Sequence, residues 1–145
     1  MNTPSGAAVL TPAESDRLRA VVARVPAGHA NALNSAGVVL ARRGLPLDAA
    51  LAFERALDAD PRHATALDNL RRLAQTGALD RERVAALAAR VAADGDDVES
   101  ALALGRWHAR LGRPAEARPV LLGLVRRRPE QLAALRELAM VEQAC

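Results

Sequence analysis

The chain has no lysine, no isoleucine and no tyrosine, and only two aromatic residues, Phe53 and Trp107, among its 145 positions. Strands favour β-branched and aromatic side chains, and here the apolar half of the sequence is left mainly to Ala, Leu and Val. Ala is the strongest helix former, so the composition points to an all-α chain. Single-stranded nucleic acid is held on aromatic stacking platforms, and their near absence argues against a nucleic-acid partner. The one cysteine, Cys145, forms no internal disulfide and fits a reducing compartment. No run approaches the roughly 18 apolar residues of a membrane helix, and Ala7 to Leu10 is too short for the apolar core of a secretory signal. A cytoplasmic protein without membrane contact is expected.

Every basic residue counted in the net charge of +3 is arginine. Arginine in place of lysine, with abundant Ala, Gly and Pro, reads as the codon bias of a GC-rich bacterial genome. The densest basic run, Arg126-Arg127-Arg128, falls at an expected helix end, where cations complement the helix dipole. That is sufficient reason for it without a nucleic acid.

Internal repetition organises the rest. The segment from Gly44 to Pro61 aligns with that from Gly112 to Pro129: Pro46 matches Pro114, Asp48 matches Glu116, and Ala49 matches Ala117. The offset is 68 residues, twice 34, so a third copy is required between them. With repeats at 30–63, 64–97 and 98–131 the middle copy sets Leu67 under Leu33, Leu87 under Phe53 and Val91 under Leu57, without insertion or deletion.

These positions resemble the tetratricopeptide repeat family, a 34-residue helix–turn–helix with the pattern W-x2-L-G-x2-Y, then A-x3-F, A and P. The first repeat supplies Leu33, Ala36-Gly37, Leu40, Ala49, Phe53, Ala56 and Pro61; the third supplies Ala101, Leu104-Gly105, His108, Ala117, Leu121, Leu124 and Pro129. The resemblance implies that Gly37, Gly105, Ala49 and Ala117 lie where two helices approach closely, with Phe53 and Leu121 filling the adjoining groove. The middle repeat departs from the pattern at Arg71, Arg83, Arg90 and Gly95, and its inter-helix Gly77 comes one position early. Its arginine stems are expected to snorkel outward.

Thr11-Pro12-Ala13-Glu14 is a capping box that opens a flanking helix. The helices are expected at 12–25, 30–43, 46–59, 63–76, 80–93, 97–111, 114–127 and 130–143, with Pro119 bending the seventh or tightening its first turns. The implied architecture is a right-handed α-solenoid of antiparallel helix pairs, one domain over 11–145, with residues 1–10 disordered.

Catalytic material is sparse. His29 and His63 occupy equivalent turns, so they recur because the unit recurs. His108 takes the place of a packing residue and is expected to be partly buried and hydrogen-bonded. No metal-ligand spacing, nucleophile elbow or phosphate loop is present. Asp94, Asp96 and Asp97 read as a turn with an aspartate N-cap rather than a calcium loop. No enzyme, metal or cofactor is expected.

In the resembled family the first helix of each repeat lines a concave, partner-binding groove. Carried over by position, this implies Asn31, Asn34 and Arg42 from repeat one, Asp68, Arg72 and Gln75 from repeat two, Arg106 and Arg110 from repeat three, and Arg136 from the last helix. Arginine suits bidentate recognition of carboxylates, so the expected partner is a protein or peptide with acidic residues or a free C-terminus, held above all by Arg72, Arg106 and Arg110. The competing reading has these arginines solvated or paired with Asp68 and Glu99. Two rival functions stand beside the adaptor: a substrate-recruiting accessory region of a larger bacterial transferase or oxygenase, and a self-associating module.

Overall fold

The computed structural model describes residues 10–145, so the disorder expected for 1–10 lies outside the described residues except at Leu10. Among the described residues there are eight helices and no strand: α1 Pro12–Ala23, α2 Ala30–Arg42, α3 Pro46–Ala59, α4 Ala64–Ala74, α5 Ala78–Ala93, α6 Val98–Arg110, α7 Pro114–Arg127 and α8 Leu132–Ala144. Their starts follow local chemistry. The Thr11 hydroxyl accepts from the Glu14 N–H while the Glu14 carboxylate accepts from the Thr11 N–H, closing the capping box. Pro46 and Pro114 take first-turn positions in α3 and α7, where a missing N–H leaves no bond unmade.

The helix ends repeat as well. Gly44, Gly77 and Gly112 have positive φ of 78°, 75° and 75°. After α2, the Leu45 N–H reaches the Leu40 carbonyl at 3.0 Å and the Gly44 N–H reaches Ala41; after α6, Arg113 reaches His108 at 2.8 Å and Gly112 reaches Ala109. Both are the paired bonds of a left-handed glycine cap. The early Gly77 ends α4 after 11 residues and lets α5 start at Ala78, two positions ahead of the expected start. At the other end, α8 starts at Leu132, two positions after the expected 130, following a turn in which the Gln131 N–H donates to the Arg128 carbonyl at 3.1 Å.

The chain divides into two compact units, 1–79 and 80–145. In the first, α3 lies against both α2 and α4, and α2 also touches α4. In the second, α7 lies against both α6 and α8, and α6 also touches α8. The same three-helix arrangement therefore recurs, built from segments 68 positions apart. In the first unit Leu33, Leu40, Ala49, Phe53, Ala56 and Leu57 are buried; in the second Ala101, Leu104, Trp107, Ala117, Leu121 and Leu124 are.

The small residues act as the repeat pattern implies. A Cβ added at Gly37 would overlap the Phe53 ring, and one added at Gly105 would overlap the end of Leu121. α7 runs through Pro119 as continuous α-helix rather than breaking there. Arg83 departs from expectation: it is half-buried, with its guanidinium 5.9 Å from the centre of the Trp107 ring. A delocalised cation is attracted to an indole face, which turns this side chain inward rather than out to solvent.

Candidate binding surface

In the first unit the apolar spacing of α2 sends Leu33, Gly37 and Leu40 inward. The candidate residues on that helix therefore lie off the core: Asn31 and Arg42 are exposed and Asn34 is half-buried. Two of them are already engaged. The Asn31 side-chain oxygen lies 2.8 Å from His63 Nε2, and the Asn34 oxygen accepts from the Asn69 amide at 3.1 Å. His63 also uses Nδ1 to accept from the Ala66 N–H, so the one ring caps α4 and reaches back toward α2. Asn69 was not among the candidates. Its signal was a polar residue one repeat away from Asn34. On α4, Arg72 pairs with Asp68 at 3.0 Å across one helical turn, both well exposed, and Gln75 is the exposed C-cap.

In the second unit the three candidate arginines differ. Arg106 donates from Nε to Glu137 of α8 at 3.1 Å, and both side chains are more than two-thirds covered. Arg110 is half-buried and Arg136 exposed. Glu137, which the sequence reading passed over, thus holds one of the arginines expected to grip a partner. Arg118 and Glu142 form a second link from α7 to α8.

A polar cluster around Trp107 was not anticipated. Trp107 is fully buried, and its indole N–H donates to Asp80 Oδ1 at 2.7 Å. The two ends of the Arg113 guanidinium donate to the two oxygens of the same carboxylate at 2.8 and 2.9 Å, a bidentate pair. The Arg113 bond, joined by that from Trp107, holds the Asp80 carboxyl below its ordinary range; the same pairing raises Arg113. His108 packs beside them and is buried, more fully than expected. The hydrogen bond expected of it is not made at Nδ1, which approaches Glu116 Oε2 at 3.3 Å in a geometry that makes none. Burial, reinforced by Arg113, lowers the His108 pKa, against the opposing pull of Glu116 and Asp80. The cluster spans α5, α6 and the turn into α7, and its chemistry is that of a fastener.

Concave spaces lie between helices of both units. One of about 300 Å³ is formed by α5, α6 and α7, with Ala88, Ala92, Pro119, Gly123 and Arg127 among its walls. Another, about 190 Å³, lies between α1 and α3 and is lined by Arg19, Val22, Leu51 and Arg55 among others. Among the described residues no group of three or more His, Cys, Asp or Glu is placed to hold a metal ion, and no helix is long and apolar enough to cross a membrane. No protein-family model matches the chain, and no curated protein matches it.

Proposed function

We propose that the chain is an interaction module of tetratricopeptide type, a right-handed α-solenoid whose first helices hold a partner protein or peptide. The observation that carries this reading is the spacing of its side-chain contacts. His63 with Asn31, Asn69 with Asn34, and Arg106 with Glu137 join residues 32, 35 and 31 positions apart. Each spacing is close to one repeat of 34 residues, so α2 is tied to α4 in the first unit and α6 to α8 in the second, each to its counterpart in the next repeat. Within each unit two first helices lie side by side, and the exposed Arg42, Arg72 and Gln75 on α2 and α4, and Arg136 on α8, give these faces their polar, mainly cationic character. Acidic peptides or free C-termini suit it. Arg106 contributes less to a partner than the bare sequence implies, because Glu137 already occupies it.

The test is a triple change of Arg72, Arg110 and Arg136 to Ala, assayed against a panel of acidic peptides blocked as C-terminal amides. Loss of binding with unchanged circular dichroism supports the surface; undiminished binding rejects it. The α8 face favours a second reading, self-association, since Leu132 and Met140 are 66% and 61% exposed. A mass by light scattering that does not change with concentration would dismiss it.

A further inference from the structure

The groove between α5 and α7 is lined by two residues that weaken the helix carrying them. α7 contains Pro119 and Gly123, both disfavoured within a helix, and both line this one concavity. Close packing does not demand the glycine: a Cβ at Gly123 would meet nothing within 4 Å. The internal repeat shows what else could stand there. Arg55 is the residue 68 positions before Gly123, and it crosses the corresponding space between α1 and α3. Its guanidinium donates to the carbonyls of Val22 and Val25 at 3.4 and 2.8 Å, tying α3 to the end of α1. The same fold position thus bridges one groove and leaves the other empty of side chain.

A single cation stands at the rim of the open groove. Arg127 is exposed, and its Nη1 donates to the Gly95 carbonyl at 2.7 Å. The guanidinium lies in the place a Cβ at residue 95 would take. No carboxylate of the described residues is paired with Arg127, so the rest of its N–H fork is available to an anion. An apolar floor bordered by one such fork complements an apolar side chain joined directly to a carboxylate, as at the end of a polypeptide.

We propose that this groove binds the C-terminal residue of a partner peptide, its apolar side chain on Ala88, Ala92 and Gly123 and its carboxylate on Arg127. The site is separate from the first-helix surface proposed above and uses none of its residues. It is tested by fluorescence anisotropy on the full chain with a labelled hexapeptide ending in Ala-Leu, as free acid and as C-terminal amide. Saturable binding of the free acid is expected. Amidation and Arg127→Gln should each weaken it about ten- to hundredfold, the range for losing a charged hydrogen bond. Gly123→Leu, which fills the groove, should abolish binding with Tm unchanged or raised. Absence of saturable binding, equal affinity for the amide, or full binding by Gly123→Leu would overturn the proposal. So would octanoate competing as well as the unlabelled peptide, since the groove would then take small amphiphiles.

Discussion

Replacing Asp80 with alanine tests the polar cluster at its centre, because one carboxylate serves both Trp107 and Arg113. The substitution leaves a fully buried indole N–H without an acceptor and the Arg113 fork without its counter-charge. The unpaired indole costs about 1–3 kcal/mol, and the lost ion pair, partly screened by solvent, adds about 1, for a total of about 3 kcal/mol. Asp80→Asn keeps an oxygen for Trp107 but loses the charge, so about half of that loss is expected. Because Trp107 is the chain's sole tryptophan, urea unfolding followed by its fluorescence reports the second unit directly. The carboxyl is held below its ordinary pKa in the folded protein, so its stabilisation is complete above the unfolded value of about 4 and is lost as pH falls through the folded one. Asp80→Asn should remove that part of the acid loss. If Asp80→Ala costs less than about 0.5 kcal/mol, the level of an ordinary surface change, the cluster does not hold the unit together and the reasoning fails.

Two further predictions concern the close packing and the buried histidine. Gly37→Ala should lower stability by about 1–3 kcal/mol, outweighing its gain in helix propensity, because the Phe53 ring cannot yield to the new methyl. Gly105→Ala should cost less, since the end of Leu121 can rotate away; thermal unfolding that ranks the two in the opposite order would contradict this account. His108, whose pKa is lowered from 6.5, gives up its proton more readily folded than unfolded. Stability should therefore fall as pH drops below 6.5, and His108→Gln should flatten that slope in the Trp107-monitored urea midpoint, leaving the carboxylate phase to which Asp80 and Asp97 contribute at lower pH.

Much of the helical layout was legible because it is written locally. A capping box, prolines in first turns and glycines past helix ends act over four or five residues, and the 34-residue frame multiplied each signal. The close approaches at Gly37 and Gly105 followed from the same alignment, since a small residue and its filler recur 16 positions apart in both copies. The partners of the polar side chains were not legible. Glu137, Asn69 and Asp80 meet Arg106, Asn34 and Arg113 at separations of 31, 35 and 33, and nothing in the helix period distinguishes those carboxylates and amides from solvated ones.

By itself, then, the sequence determined an all-helical chain, the number of its helices and the small residues at their crossings, because alanine-rich composition, caps and apolar period are properties of the chain in its own vicinity. Only tertiary packing decided which arginines are used up and which are not. Arg106 is taken by Glu137 and Arg113 by Asp80, Arg83 turns in over Trp107, and Arg127 stands at an unfilled groove. The physical reason is that an arginine side chain is long and commits to whichever carboxylate, ring or carbonyl a neighbouring helix sets within its reach, and that neighbour is absent from its local sequence.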